Sequence, residues 1–115
     1  MSFNKTLRCA VLPIVPICEP QSYSGNSTTY CVFNYTILPW TYADGKPVSV
    51  NYVTQLHLYL PLRQDPLQLI SSLSQSLQKV GFPCPEIQDV SDDVSQHWVF
   101  EFSHIQFESD VVLSE

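Results

Sequence analysis

The alternation of apolar and polar side chains is clearest from Tyr42 to Leu62, where a turn leads into a long strand-like segment. A period of two predicts a β-strand whose side chains divide between two faces. One face carries Tyr52, Thr54, Leu56, Leu58 and Leu60, and the other carries Val53, Gln55, His57 and Tyr59. A strand with one solvated face would be more polar on its second side. We therefore expect the Leu face to pack on a helix, and the Tyr59 face to meet a neighbouring subunit or the first helix.

A second strand precedes this one. In Thr28–Leu38 the residues that share a face are Cys31, Phe33, Tyr35 and Ile37. Pro39 is expected to end the strand, and Asp44-Gly45 supplies a turn with positive φ. The sequence therefore predicts an antiparallel hairpin over residues 28–62 with a long loop at 39–47.

The clearest helix is predicted over residues 65–80. Asp65 is a suitable N-cap, Pro66 suits the first helical position, and Gly81 suits the left-handed residue after the helix. Its apolar face consists of Leu69, Ile70, Leu73, Leu77 and Val80. Burial of this face should hold the helix against the sheet.

Shorter elements complete the prediction. Residues 1–12 favour a helix capped by Ser2, with Phe3, Leu7, Ala10 and Val11 on its apolar side and Pro13 and Pro16 after it. Residues 84–107 favour C-terminal strands, with Trp98, Phe100 and Phe102 on one face. Residues 108–115 are a further strand or a tail. The whole chain, 1–115, is predicted to be a single α+β domain in which an antiparallel sheet packs against one main helix.

Charged residues make up 14% of the chain, against roughly 25% in a typical globular protein. Serine, threonine, glutamine and tyrosine must cover much of the surface, which favours a protein that works in an assembly. Eleven Asp and Glu stand against five Lys and Arg. Because nucleic-acid binding requires cations, this balance disfavours direct DNA binding.

The N-terminal apolar run is interrupted by Pro13 and Pro16, which disfavours a signal peptide. No segment has the roughly 20 apolar residues of a membrane helix. The four cysteines show no framework spacing and are expected to be small buried apolar residues. A secreted β-rich binding module with disulfides from Cys9, Cys18, Cys31 and Cys84 is the alternative.

We predict no catalytic, metal-binding or cofactor-binding residues. His97 and His104 are seven positions apart, so on one strand they point to opposite faces. Asp89, Asp92 and Asp93 lack the spacing and glycine of an EF-hand. No nucleophile motif or phosphate-binding glycine loop is present.

Two large aromatic side chains, Trp40 and Tyr42, lie in the predicted hairpin loop. They are either rigid anchors for a partner or a lid over the core. The predicted interface residues are Trp40, Tyr42, Asp44 and Lys46 from this loop, with Val53, His57 and Tyr59 from the second face of the strand.

Taken in order, these segments resemble the tail-completion, or tail-terminator, proteins of long-tailed bacteriophages. The resemblance covers roughly residues 3 to 107. It rests on "YCVFNYT", the "YAD" turn with its long strand, a helix ending "LQKVGF", and "DVSDDVSQHWVFEFSHIQF". The matching residues are Tyr30, Val32, Phe33, Tyr42, Ala43, Asp44, Gly81, Phe82, Asp93, His97 and Phe102. The turn before His97 departs from the family pattern, because it lacks an aromatic residue and a glutamate.

The resemblance implies a homo-oligomeric ring, usually a hexamer, at the head-proximal end of the tail in the virion. Such a ring caps the tail tube protein, meets the head connector or stopper protein, and leaves a pore through which DNA passes without specific binding. Its subunits are made in the host cytoplasm. A head–tail adaptor or stopper is the nearest alternative within the same virion region.

Overall fold

The computed structural model describes residues 3–43 and 46–107, with side chains at 3–38 and 49–106. Its elements are α1 (Phe3–Val11), β1 (Cys18–Pro20), β2 (Tyr30–Ala43), β3 (Lys46–Leu60), α2 (Leu67–Lys79), β4 (Glu86–Asp89) and β5 (Gln96–Phe107). The predicted cap Ser2 and the C-terminal segment 108–115 lie outside the described residues. In the part of the chain that is described, neither helix has the length and apolarity needed to cross a bilayer.

The strands form one sheet with the order β1-β2-β3-β5-β4. The α+β class is confirmed, but the sheet is mixed, because β1 runs parallel to β2. The other three strand pairs are antiparallel as predicted, and β1 is an additional parallel strand that was not predicted. The β1 strand has only three residues, and so short a segment carries no readable alternation. It is held by the hydrogen bond from the Cys31 amide to the Ile17 carbonyl, at 2.8 Å.

The hairpin of β2 and β3 is longer than predicted, and the expected loop at 39–47 was wrong. The β2 strand continues through Pro39 to Ala43, and β3 begins at Lys46. Among the described residues, β1 pairs with β2 only from Cys31 to Phe33, so Pro39 lies where β2 is an edge strand. A missing N–H is tolerated at an edge, and the register shifts directly after Pro39 absorb the irregularity.

Both helices pack on the same face of the sheet. The core contains Leu7 and Val11 of α1, Leu73 and Leu77 of α2, and Leu56, Leu58 and Leu60 of β3. The Phe3 ring stacks on Tyr52 with the ring centroids 4.4 Å apart. The Leu face of β3 therefore packs as predicted. The expectation that α1 covers the Tyr59 face was wrong, because the apolar side of α1 is needed to complete this core.

The ends of α2 follow the predicted chemistry. The Leu67 amide donates to Asp65 Oδ1 at 3.1 Å, although the helix begins two residues later than predicted. At the other end Gly81 has a φ of +104°, and its amide and that of Phe82 donate to the Gln78 and Leu77 carbonyls. This is the Schellman arrangement, which favours glycine.

The predicted apolar face of α2 is correct except at its last position. Leu73 and Leu77 are fully buried, whereas Val80 is 41% exposed. Val80 is the C-cap, where the chain leaves the helical spacing. Phe82, two residues later, occupies the core instead and is 3% exposed.

Candidate functional site

The second face of the sheet carries neither α1 nor α2. We call it the open face. Its central residues are Tyr30, Val32, Asn34 and Thr36 of β2, Val53, Gln55, His57 and Tyr59 of β3, and His97, Val99, Glu101 and Ser103 of β5. Val53, Gln55, His57 and Tyr59 are all half-buried by their neighbours within the sheet. This face is the candidate functional site.

A row of rings crosses the open face from strand to strand. Tyr30, Tyr59 and His97 are register partners on β2, β3 and β5. The Tyr30 and Tyr59 rings stack at 4.7 Å, and the Tyr59 and His97 rings stack at 4.3 Å. Tyr23, from the β1–β2 connection, extends the row, with its ring 4.6 Å from that of Tyr30. The row is a continuous, largely apolar ridge with polar ring edges.

A hydrogen-bonded pair of histidines adjoins this row. His57 Nδ1 and His97 Nε2 are 2.7 Å apart, and Asn34 Nδ2 is 3.1 Å from His57 Nε2. With the amide in this orientation, Asn34 donates to His57 Nε2, and His57 Nδ1–H donates to His97 Nε2. Both imidazoles are then neutral. His57 Nδ1 and His97 Nε2 cannot both carry a proton in this arrangement, because two N–H groups would then face each other.

The environment of the pair favours this neutral state. Burial lowers the pKa of His57, and the neighbouring His97 lowers it further. Burial also lowers the pKa of His97, although Asp92 acts in the opposite direction. The pKa of the Tyr59 phenol is raised, mainly by burial and then by Tyr30 and Asp92. The histidine pair and Tyr59 therefore carry little charge near neutral pH.

The turn between β4 and β5 positions His97. Ser91 Oγ accepts a hydrogen bond from the His97 amide at 2.9 Å, and Asp89 Oδ1 accepts one from the Ser91 amide at 2.9 Å. Asp92 Oδ1 accepts from the amides of Val94 and Ser95. Hydrogen bonds from the Ser91 hydroxyl and then the Ser91 amide lower the pKa of Asp89, and those from the Ser95 and Val94 amides lower the pKa of Asp92. The acidic turn thus has a structural role at the end of the open face.

The structure brings together three of the predicted interface residues, since Val53, His57 and Tyr59 share the open face. Trp40, Tyr42 and Lys46 belong to the strands of the hairpin rather than to a loop, and their side chains lie outside the described residues. Asp44 also lies outside them.

Sequence reasoning missed the contribution of Tyr30, Asn34 and His97 to this site. The alternation gives the face of each residue within its own strand, and the strand pairing was predicted only in part. The contacts with His57 and Tyr59 depend on the register between strands. That register is determined by the packing of the whole sheet, so the pattern within one strand does not predict it.

The open face offers binding chemistry of a limited kind. Among the described residues, no three His, Cys, Asp or Glu side chains form a metal-binding group. What it presents is a row of rings, flanking valines and the amides of Asn34 and Gln55. This combination of aromatic area with a few hydrogen-bonding groups is typical of protein–protein contact surfaces.

Compared with known proteins, the chain matches no protein-family model, and no curated protein is significantly similar to it.

Proposed function

We propose that the protein is a structural subunit of a bacteriophage virion, a tail terminator whose copies form a ring on the head-proximal end of the tail tube. The proposal combines the sequence resemblance with one structural observation. Both described helices cover one face of the sheet, and the other face presents the row Tyr30, Tyr59 and His97.

This one-sided layering supports a role in assembly. An antiparallel sheet with a solvated face normally alternates apolar inside and polar outside. Here the open face carries the half-buried Val53 and Val99 beside the ring row, so a partner that covers it would bury apolar area. A closed ring of identical copies requires two different complementary surfaces on each subunit, and the open face supplies one of them.

The shape of the subunit also suits a ring. Its principal extents are 54 × 26 × 24 Å, and its radius of gyration is 15.2 Å. A compact domain of this length would have a radius near 13 Å. The additional length follows the β2–β3 hairpin, whose strands have 14 and 15 residues. An elongated subunit can contact a neighbour along its side and still reach tail and head components at its ends.

The charge is consistent with a passage for DNA. The formal net charge is −6 per subunit, and the central residues of the open face include no Lys or Arg. Repetition of this charge around a pore would repel phosphate and disfavour tight binding of the passing DNA. The partners of the ring are then proteins, namely the tail tube on one side and the head connector on the other.

The test combines light scattering with negative-stain imaging of the protein alone and with tails that lack their end cap. We expect rings in solution, or density added at one tail end without a change in tube length. His57→Glu together with Tyr59→Glu places charge on the open face and should abolish both. Gln68→Glu together with Gln75→Glu adds the same charge at exposed positions of α2 and should abolish neither.

Two results would contradict the proposal. If the open-face variant forms rings as the wild type does, the open face is not the contact between subunits. If the wild-type protein does not bind tails but binds assembled heads, the protein is a head–tail adaptor or stopper.

A further inference from the structure

The charges of this chain are unevenly distributed along the sequence. Lys5 and Arg8 precede the first acidic residue, Glu19. From Val80 to the C-terminus there are acidic residues but no Lys or Arg. Because α1 lies at the start of the chain and β4 and β5 lie near its end, this asymmetry becomes an asymmetry of the folded surface.

A shallow groove lies between β4 and β5, with a volume of about 460 Å³. Its lining residues are Glu86, Ile87, Gln88, Val99 and Glu101. Glu86 and Glu101 are directly opposite each other in the strand register, and both are exposed. Gln88 and Val99 form the opposed pair two positions along, on the same face, so the two glutamates share the open face with Val99.

The opposed glutamates are an unfavourable pair within the subunit. Like charges at directly opposite positions of an antiparallel pair destabilise the sheet. In the one described hydrogen bond to these carboxylates, Gln55 Nε2 donates to Glu101 Oε2 at 3.2 Å. This donor is an uncharged amide, so it does not neutralise the carboxylate. A cation placed in the groove would relieve the repulsion, and neither β4 nor β5 supplies one.

The complementary surface is the outer side of α1. Lys5, Arg8 and Leu12 follow one another at spacings of three and four residues, so they lie on one side of the helix. All three are exposed, Leu12 by 37%, and the Leu12 amide continues the helical hydrogen bonding to the Arg8 carbonyl at 2.9 Å. Arg8 also counteracts the burial-driven rise in the pKa of Cys18, which places it near β1, at the other edge of the sheet.

We propose that the groove with Glu86 and Glu101 receives the outer side of α1, with Arg8 and Lys5, from a second copy of this chain. This inference rests on the proposed ring and names the two halves of its contact. The groove and α1 lie on opposite faces of the sheet, so one subunit presents a different surface to each neighbour. Such a contact is heterologous, as ring closure requires.

The test uses two variants that are each defective alone. Lys5→Glu together with Arg8→Glu makes the α1 surface acidic and leaves the groove acidic. Glu86→Lys together with Glu101→Lys makes the groove basic and leaves the α1 surface basic. Each variant alone should associate about tenfold more weakly than the wild type, because every contact then opposes like charges. A mixture of the two should restore assembly, since each α1 surface meets a groove of opposite charge only on the other variant.

Matched controls separate this contact from general charge effects. Two controls change exposed charges by the same amounts outside the proposed contact and should assemble as the wild type does. Arg63→Glu with Lys79→Glu matches the α1 variant, and Asp93→Lys with Gln68→Lys and Gln75→Lys matches the groove variant. Circular dichroism checks that all variants are folded. Sedimentation at increasing salt should show weaker association of the wild type, because exposed charges are screened.

The outcomes distinguish this inference from the proposed function. If wild-type rings form in solution or on tails and both variants assemble equally well, the groove–α1 contact is wrong and the ring stands. The same conclusion follows if both variants fail and their mixture fails too. If the wild type forms no ring in solution and none on tail ends, the proposed function is wrong, and this inference is wrong with it.

Discussion

At the scale of single residues, the open face depends on the protonation of two imidazoles. The 2.7 Å contact between His57 Nδ1 and His97 Nε2 needs a proton on one nitrogen and a lone pair on the other. A single added proton can be accommodated if Asn34 turns its amide. A second cannot, because two N–H groups would then face each other, and like charges would lie on adjacent strands.

Acid should therefore destabilise the fold through these histidines. Both have a pKa lowered from the ordinary value of 6.5, so the unfolded chain binds protons first as the pH falls. Their contribution to stability is complete above that value and is lost as the pH falls through the lowered folded-state pKa. The melting temperature should decrease as the pH is lowered from about 7.5 to about 5. His97→Gln should reduce this decrease.

The control for this experiment is Val99→Ala, which alters the same face and retains every histidine. It should lower the melting temperature at all pH values and leave the pH dependence unchanged. His104, whose pKa burial also lowers, supplies a residual dependence of the same sign in both variants. An unchanged slope in His97→Gln would contradict the assigned role of the pair.

Sequence reasoning found half of this pair. His57 was assigned to the interface because its strand is too apolar on its second face. His97 and His104 were correctly placed on opposite faces by their spacing, and the ring of His104 contacts Phe3 and Phe82 on the helical side. The partnership of His57 with His97 depends on pairing between strands 40 residues apart, which no local pattern specifies.

At the scale of secondary-structure elements, local sequence patterns predicted an element correctly where several of them agreed. They failed where contacts with neighbouring strands determined the structure. In α2, periodicity, capping residues and the terminal glycine all indicated the same helix. Pro39 is a strong local signal for a strand end, yet β2 passes through it because that stretch is at the edge of the sheet. Whether a strand segment lies at an edge depends on the folded sheet and cannot be predicted from the sequence of that segment alone.

The stabilisation of α2 should come mainly from two buried side chains. Leu77→Ala removes a fully buried side chain and should lower the free energy of unfolding by roughly 2–5 kcal/mol. Leu67→Ala makes the same chemical change on the same helix at a residue that is 70% exposed. It should change that free energy by no more than about 0.5 kcal/mol. Urea unfolding measures both, and equal effects would contradict the packing described.

At the scale of the whole molecule, the cysteines bear on the class of protein. All four are free thiols, with Cys9 and Cys84 exposed and Cys18 and Cys31 buried. Cys18 and Cys31 are register partners in the parallel pair of β1 and β2. They occupy the core as small apolar side chains, as expected from the sequence, whereas the expectation of burial was wrong for Cys9 and Cys84.

A thiol reagent should therefore titrate the folded protein in two phases. Cys9 and Cys84 should react rapidly. Cys18 and Cys31 should react slowly, because burial raises the pKa of Cys18 to about 12 and raises that of Cys31 as well. In denaturant without reductant all four should react. Fewer than four reactive thiols would indicate a disulfide and would favour the secreted, disulfide-bonded module.

The two edge strands of the sheet are unsuited to recruiting further strands. The β1 strand has three residues, ends at Pro20 and is followed by Gln21 with a positive φ of 69°. The β4 strand has four residues, and two of them are Glu86 and Asp89. Short length, proline and charge are the features by which natural sheets resist edge-to-edge aggregation. These two strands therefore offer little backbone for pairing with another chain, and the longer open edge of β2 beyond Phe33 is interrupted by Pro39, which has no N–H to donate.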